Sequence, residues 1–316
     1  MMASPCVSVC IQTYQHVRYI EHCLESVLMQ KTDFPVEIIL GEDESTDGTR
    51  EICRAYAERY PETIRLFLRS EQDKIYIHGH KTGRFNFTEN LKAAQGKYIA
   101  LCEGDDYWTD PGKLQKQVNF LERHSDFAIC FHDIEHVCET QQGHVVTASP
   151  KPVSTFEDIL KGNFIYTASC TFRNKLLDRF PAWYFSVLPG DWPLHVLHAQ
   201  YGKIGYLHEV MAAYRTHDGG LWSRQSRLDT LSPLICTART IDRHFHSRYR
   251  PIMYPSIWNW ERERIELLIH ERRFDQAEQH SRRLLRENWP ASPASCFMLL
   301  TTVAKIYKHR LSVTAA

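Results

Sequence analysis

The stretch Gly96-Lys-Tyr-Ile-Ala-Leu-Cys-Glu-Gly-Asp-Asp106 decides the fold. Its first part, up to Cys102, is apolar, and three carboxylates follow within the next four positions. A short apolar run that ends in polar turn residues is typical of a buried strand. Carboxylates this close repel one another unless a cation lies between them. The pattern therefore predicts a strand whose carboxyl end binds a hard divalent cation, Mg²⁺ or Mn²⁺.

Upstream of this stretch, apolar runs of the same kind alternate with helical patterns. We predict strands over 6–11, 36–40, 64–68 and 97–102, and helices over 19–29, from the polar cluster 42–49 to about residue 60, and over 90–94. Strand and helix at this rhythm indicate an α/β fold with a mostly parallel sheet flanked by helices. Ligands of such sheets bind outside the carboxyl ends of the strands, so chemistry is expected just after Ile11, Leu40 and Cys102.

The remainder of the chain is mixed and then helical. A helix is predicted over 114–121, a strand over 128–132 and a loop over 143–153. Two helices are predicted over 257–269 and 274–285; the pair is either one unit of tetratricopeptide type or a helical extension of the main domain. Residues 224–316 carry 16 Lys and Arg against 9 Asp and Glu. This surplus predicts peripheral contact with a membrane or a partner. The alternative is that the arginines pair with nearby carboxylates and form a solvated face or a homo-oligomer contact.

Composition excludes some classes of protein. Lys and Arg total 38, as do Asp and Glu, so no overall basic field indicates a nucleic-acid partner. No apolar run reaches the length of a membrane-spanning helix. The ten cysteines are scattered and form no close pairs of the zinc-binding type, which predicts reduced thiols and a cytoplasmic protein. The basic C-terminal region adds the expectation of a peripheral location at the inner face of the membrane.

Five motifs, in order, resemble the family 2 glycosyltransferases of the GT-A (Rossmann-like) fold. They are Val7-Ser-Val-Cys-Ile-Gln-Thr-Tyr14, the cluster 42–49, the stretch 96–106, Gly202-Lys-Ile-Gly-Tyr-Leu207 and Ala213-Tyr-Arg-Thr-His-Asp-Gly-Gly-Leu-Trp-Ser223. The resemblance covers about residues 5–225. It implies a GT-A domain over 1–225, with a nucleotide-sugar-binding half at 1–107 and an acceptor half at 108–225, followed by an all-helical region over 226–316.

The resemblance also implies an activity and a set of site residues. The donor would be a nucleotide-diphosphate sugar, a UDP-sugar by preference, and the acceptor a hydroxyl of a polysaccharide, lipid-linked or protein-linked glycan of the cell envelope. Asp191 would be the catalytic base, and Asp105 would reach Mn²⁺ or Mg²⁺ on the diphosphate. His217 is either a metal or phosphate ligand or a simple loop histidine. The other residues expected at the donor are Thr13, Tyr14, Gln15, Glu42, Asp43, Glu103, Gly104, Arg215 and Trp222.

The chain departs from the family pattern at three positions. Glu42 and Glu103 stand where Asp is usual, and Gly190 replaces the Glu that normally precedes the base. A single base opposite the leaving group predicts one displacement with inversion at the anomeric carbon. Two other functions are alternatives. A sugar nucleotidyltransferase would need a glycine-rich loop after the first strand, but residues 12–16 contain no glycine. A non-catalytic scaffold protein would bind its partners through the helical tail.

Overall fold

The computed structural model describes residues 4–138, 141–146, 151–220 and 225–286. The chain forms two compact units, residues 1–223 and residues 224–316, and each is described by itself. The functional division of the first unit into donor and acceptor halves stays a prediction.

The first unit is built on a curled sheet. Its strands are β1 Val7–Thr13, β2 Val36–Glu42, β3 Ile64–Leu68, β4 Ile75–Ile77, β5 His80–Thr82, β6 Tyr98–Glu103, β7 Tyr107–Trp108, β8 Phe127–Cys138, β9 Gln141–Val146, β10 Val153–Ser154, β11 Thr171–Arg173 and β12 Lys203–Thr216. Its helices are α1 Ile20–Leu28, α2 Thr49–Arg59, α3 Arg84–Ala93, α4 Lys113–Arg123, α5 Phe156–Leu160 and α6 Asp191–Ala199. Short 3-10 turns lie at Glu71–Asp73, Thr167–Ser169 and Ala182–Ser186.

The order of strands explains where a site can form. Along the sheet the order is β10-β12-β8-β11-β6-β1-β2-β3, with β7 beside β12, β9 beside β8, and β4 and β5 in a separate hairpin. Strands β3, β2, β1 and β6 are parallel, β8 and β12 are parallel to each other, and β11 runs antiparallel between β6 and β8. Gln12 lies opposite both Gly41 and Glu103, so the carboxyl ends of β1, β2 and β6 meet at one edge. The predicted α/β fold is confirmed.

The central strands are buried on both faces because helices cover both sides. β1, β2 and β6 consist almost wholly of buried residues, most of them apolar, as expected of a parallel sheet covered on both faces. On one face, α3 approaches β2 closely at Gly41, where a Cβ atom would lie 1.9 Å from Asn86 Oδ1. The Asn86 and Asn90 amides donate to the carbonyls of Gly41 and Ile11 at 2.8 and 2.9 Å. These bonds join α3 to the site edge of the sheet.

Two local predictions differ from the structure. The loop predicted over 143–153 is wrong at its ends, because β9 extends to Val146 by antiparallel pairing with β8, and β10 begins at Val153. The helix predicted over 90–94 begins earlier, at Arg84. Its first half mixes the buried polar residues Arg84, Asn86 and Thr88 with two phenylalanines, so it lacks the apolar periodicity on which a sequence-based prediction depends.

The second unit is helical in its described part. It contains α7 Arg227–His244, α8 Arg250–His270 and α9 Phe274–Arg286, so the two predicted helices lie within α8 and α9. Its apolar core includes Leu228 from α7, Ile265 from α8 and Leu284 from α9. Every helix in the described part of the whole chain is too short or too polar to cross a lipid bilayer. The last part of the basic region, residues 287–316, lies outside the described residues.

Candidate functional site

Two adjoining cavities lie at the carboxyl edge of the sheet. Cavity A has a volume of about 500 Å³ and contains Asp191, Asn163 and Arg84. Cavity B has a volume of about 450 Å³, and among its lining residues are Thr13, Tyr14, His16, Asp43, Asp105 and Arg215. The cavities share the residues Gln12, Thr82, Gly83, Glu103 and Tyr214. A ligand can therefore extend from one cavity into the other past Glu103.

Asp105 lies at the centre of the polar cluster in cavity B. Its Oδ2 atom is 3.2 Å from Nε2 of His217 and 3.6 Å from Nε2 of His16. The potential ligand atoms of these three residues lie within 4.8 Å of one another, and so do those of Glu103, Asp105 and Asp106. Burial alone would raise the pKa of Asp105, but the hydrogen bond with His217 and the charge of His16 lower it. Asp105 is therefore the carboxylate that both possible ligand sets share.

The two neighbouring carboxylates are more strongly perturbed. Burial, followed by the charges of Asp105 and Asp191, raises the pKa of Glu103 to about 8. Burial, followed by the charges of Asp105 and Glu103, raises the pKa of Asp106 well above its usual range. Oδ1 of Asp106 accepts a hydrogen bond from the Arg215 backbone N–H at 2.9 Å, whereas its buried Oδ2 has no partner within the described residues. Such a cluster is one that a bound cation would stabilise.

The two histidines are oriented by local contacts. Nδ1 of His16 lies 3.2 Å from the Thr13 hydroxyl, and Nδ1 of His217 accepts a hydrogen bond from the Gly219 N–H at 3.1 Å. Nε2 of each ring therefore faces Asp105. Gly104 makes this packing possible, because a Cβ atom there would lie 2.6 Å from Thr13 Oγ1 and 3.0 Å from His16 Nδ1. We did not foresee His16 from the sequence, although its position three residues after β1 is a usable signal.

Arg215 lies at the wall of cavity B. Its Nη1 atom donates to the Asp105 carbonyl at 2.9 Å, and Nη2 lies 2.6 Å from Nδ1 of His22. The guanidinium carbon is 4.3 Å from the centre of the Tyr107 ring. These contacts orient a fixed positive charge beside the acidic cluster.

The outer part of cavity B combines Asp43, Tyr14 and Lys74. The Lys74 ammonium group lies 3.8 Å from Asp43 Oδ2 and 3.5 Å from the centre of the Tyr14 ring. Burial raises the pKa of Asp43 to about 6, and Lys74 opposes this shift. The group offers a carboxylate acceptor and an aromatic ring side by side, which is what recognition of a nucleobase requires.

Asp191 is the first residue of α6 and lines cavity A. Its Oδ2 accepts a hydrogen bond from the Asn163 side-chain amide at 2.8 Å, and burial raises its pKa. The preceding segment is held by Arg84, whose side chain is 4% exposed. Arg84 donates to four carbonyls at 2.8–3.0 Å, those of Tyr184, Val187, Leu188 and Pro189. Arg84 and Asn163 are thus the residues that position Asp191, and both escaped the sequence analysis.

Four residues predicted at the donor stand apart from the cavities or outside the described residues. Glu42 is fully buried and its carboxylate binds Arg50 and the Ser45 N–H, so it orders the loop after β2. Gln15 exchanges hydrogen bonds with Thr46 and likewise lines neither cavity. Gly104 contributes space instead of a contact. Trp222 lies outside the described residues.

Comparison with known proteins places this geometry in a family. The sequence model described as glycosyl transferase family 2 matches residues 8–185. An uncharacterized protein of Mycobacterium tuberculosis is 42% identical over 213 residues, covering 66% of this chain and 58% of the relative. An uncharacterized glycosyltransferase of Nostoc sp. is 28% identical over 225 residues, covering 67% of this chain and 65% of the relative. The chain thus spans about 58% of the length of the mycobacterial relative it matches.

Two solved structures share the fold. TarS 1-349 of S. aureus in complex with UDP-GlcNAc has a TM-score of 0.55 at 20% identity, over 75% of this chain and 66% of that one. The mannosyltransferase PcManGT of Pyrobaculum calidifontis in complex with GDP-Man and Mn²⁺ has a TM-score of 0.56 at 16% identity, over 96% of this chain and 80% of that one. These likenesses confirm the GT-A architecture. The family's sequence model matches more than half of the length of this chain, and the chain therefore belongs to glycosyl transferase family 2.

Proposed function

We propose that the protein transfers a sugar from a nucleotide-diphosphate donor to a hydroxyl group of a glycan acceptor, with inversion at the anomeric carbon. One observation carries the proposal. The possible metal ligands around Asp105 in cavity B and the buried carboxylate of Asp191 in cavity A lie on either side of Glu103, which lines both cavities. A donor whose diphosphate lies in cavity B can present its sugar to cavity A. An acceptor approaching beside Asp191 would then attack from the side opposite the leaving group.

The chemistry of the cluster suits Mn²⁺ or Mg²⁺. Carboxylate oxygens are the ligands that hard divalent cations prefer, and Mn²⁺ also accepts imidazole nitrogen. We assign Asp105, His16 and His217 as the residues that would hold the ion. When bound, the cation would supply the positive charge that stabilises the diphosphate leaving group. The unpartnered buried oxygen of Asp106 supports a cation near this cluster.

His16 is the better oriented of the two imidazoles. The Thr13 hydroxyl can accept a hydrogen bond from Nδ1–H of His16, and in that tautomer the lone pair on Nε2 is directed at Asp105. In His217, Nδ1 accepts from Gly219. Its Nε2 therefore carries the proton that it shares with Asp105 and must release that proton before it can bind a metal.

Asp191 acts as the base. Burial raises its pKa, which makes the ionised carboxylate a stronger proton acceptor than an exposed aspartate. The Asn163 amide binds Oδ2, and a carboxylate has further lone pairs with which it can accept the proton of the acceptor hydroxyl. Arg84 fixes the backbone that carries Asp191, so the base is oriented before the acceptor binds.

The donor would be bound along cavity B. Asp43 and Tyr14 would contact the nucleobase, Thr13 would line the nucleoside pocket, and Arg215 would meet the diphosphate. The two structural neighbours were solved with UDP-GlcNAc and GDP-Man, so the choice of nucleotide is tested with a UDP-sugar first and a GDP-sugar second. The proposed acceptor is a polysaccharide or lipid-linked or protein-linked glycan of the cell envelope, and the proposed location is the cytoplasm, peripheral at the inner face of the membrane. We leave Glu42 and Gln15 out of the proposed donor site.

The proposal is tested by following nucleoside diphosphate release from a panel of UDP- and GDP-sugars with Mn²⁺, with and without glycan acceptors. Asp191→Asn should keep donor affinity and lower transfer by about 100- to 10,000-fold, because the amide retains the shape and loses the proton acceptor. Asp178→Asn, an exposed change in the same unit that lines neither cavity, is the matched control. Transfer by Asp191→Asn at the control's rate would show that another group is the base. Product with retained anomeric configuration would contradict the inverting mechanism.

A further inference from the structure

The second unit contains a cavity of its own, which we call cavity C. Its volume is about 530 Å³, and it lies between α7, α8 and α9. Its charged lining consists of six arginines and two carboxylates, namely Arg239, Arg243, Arg250, Arg264, Arg283, Arg286, Asp242 and Glu261. Cationic side chains thus outnumber anionic ones by three to one.

The two carboxylates are already engaged by some of these arginines. Glu261 is 1% exposed and forms ion pairs with Arg239 at 2.9 Å and with Arg264. Asp242 pairs with Arg250 at 2.8 Å. These pairs hold the walls of cavity C together, because a buried carboxylate needs such partners.

The remaining hydrogen-bonding capacity points to a ligand. Arg243 bonds only neutral acceptors among the described residues, the Arg239 carbonyl and the Thr240 hydroxyl. Arg264 is 7% exposed, and its Nε atom is buried with no hydrogen-bond partner in the described part of the chain. A buried N–H donor without an acceptor destabilises the fold. An anion in the cavity would satisfy it.

The electrostatics of neighbouring groups agree with an excess of positive charge. Burial and then the charges of Arg264, Arg283 and Arg239 lower the pKa of His280 to about 4. Burial and the charges of Arg239 and Arg283 also lower the pKa of Arg264, against the effect of Glu261. Residues 287–316 add one acidic residue and three Lys and Arg to this charge balance.

We propose that cavity C binds the phosphate group of a phosphate ester of a polyol. Arginine forks bind phosphate oxygens in pairs, and Arg243, Arg264 and Arg286 supply the donors. The cavity has room for more than an inorganic phosphate ion, and Ile235 and Ile257 give it apolar walls. Oδ1 of Asp242 is buried without a partner among the described residues, so it can accept a hydroxyl of the polyol. Such an ester occurs either free in solution or as a lipid headgroup.

The first experiment is isothermal titration calorimetry of the full chain with glycerol 3-phosphate in EDTA. Arg243→Gln combined with Arg286→Gln should lower the affinity at least about tenfold, since each change removes a charged donor and leaves no buried carboxylate unpaired. Arg282→Gln removes the same charge from the same helix, but Arg282 pairs with Glu278 and does not line the cavity, so affinity should be unchanged. Arg215→Gln, which removes the arginine that lines cavity B, should also bind glycerol 3-phosphate normally, which separates cavity C from any phosphate binding in cavity B.

The second experiment distinguishes the two sources of the ester. Vesicles of phosphatidylcholine with and without phosphatidylglycerol, whose headgroup keeps two free hydroxyls, are mixed with the same variants and floated. Binding of glycerol 3-phosphate that depends on Arg243 and Arg286 supports a soluble ester, and flotation that depends on phosphatidylglycerol and on these arginines supports a headgroup. If neither probe binds, or if the double variant binds within twofold of the unchanged protein, the proposal is wrong. Should the double variant melt early by circular dichroism, Arg286→Gln alone carries the test, because that side chain is exposed.

Discussion

Replacement of Arg84 by methionine tests whether Asp191, the proposed base, is positioned by a residue that lies far from it in the sequence. Arg84 contacts no proposed metal ligand, but its guanidinium donates to four carbonyls in the segment that leads to Asp191. Methionine keeps the length and the apolar stem and removes every donor. We therefore expect the segment 184–190 to lose its fixed conformation while the donor-binding residues of cavity B keep theirs.

The magnitude follows from these contacts. Two of the bonds, to the Tyr184 and Val187 carbonyls, are buried, and each acceptor left unpaired costs about 1–3 kcal/mol. The guanidinium also lies 4.4 Å from the centre of the Tyr184 ring, a contact worth about 1–2 kcal/mol when desolvated. The free energy of unfolding should fall by about 3–8 kcal/mol, which corresponds to roughly 10–25 °C in Tm. A displacement of Asp191 by about 1 Å should lower kcat by about 100-fold.

The assay combines thermal melting with steady-state transfer kinetics, measured below the Tm of the variant. The signature of a positioning role is a lower kcat with a donor KM within about twofold of the unchanged protein, because cavity B is not disturbed. Arg179→Met, an exposed arginine in the same unit, is the control. If Arg84→Met matches this control in Tm and in kcat, Arg84 does not hold the base. A rise in donor KM with kcat unchanged would place its role in donor binding.

Two further predictions concern the cation and the pH dependence of stability. His16→Gln should weaken Mn²⁺ binding about tenfold and Mg²⁺ binding less, because imidazole nitrogen is a poor ligand for Mg²⁺. Both affinities are measured without substrate, by calorimetry or, for Mn²⁺, by electron paramagnetic resonance, and equal losses for both ions would remove His16 from the ligand set. Burial lowers the pKa of Lys113 to about 8 from 10.5, so between these values the unfolded chain binds more protons and stability rises with pH. Relative to Lys113→Met, the unchanged protein should gain up to about 3 kcal/mol across this window in urea unfolding, and parallel pH profiles would contradict the shift.

The sequence predicts those site residues that directly follow strands of the parallel sheet. Thr13 and Glu103 are the last residues of β1 and β6. Tyr14 follows β1, Asp43 follows β2, and Asp105 lies two residues after β6. Because β1 pairs in parallel with both β2 and β6, the ends of these strands meet by topology alone. Local apolar patterning therefore determined the strands, and the strands determined which polar residues meet.

The sequence does not reveal residues that reach the site across the fold. Arg84 bonds carbonyls that lie 100 to 105 residues away, and Asn163 reaches Asp191 across 28 residues. Neither lies in a periodic pattern, and arginine is rarely buried, so the default expectation for Arg84 is a solvated side chain. Glu42 shows the converse error. It directly follows the buried core of β2 and was expected at the donor, but Arg50 on the next helix binds its carboxylate within the loop.

The departure at Gly190 has a physical explanation in the same contacts. A Cβ atom at this position would lie 3.4 Å from Nη2 of Arg84, the nitrogen that donates to the Val187, Leu188 and Pro189 carbonyls. A carboxylate extending from position 190 would compete for that guanidinium, since a charged acceptor binds it more strongly than a neutral carbonyl. Glycine leaves Arg84 free to bind the backbone, and Asp191 is then held by a peptide segment instead of by an adjacent acidic side chain. The single remaining carboxylate is thus consistent with an intact site, because the positioning that the pair would share is supplied by Arg84 and Asn163.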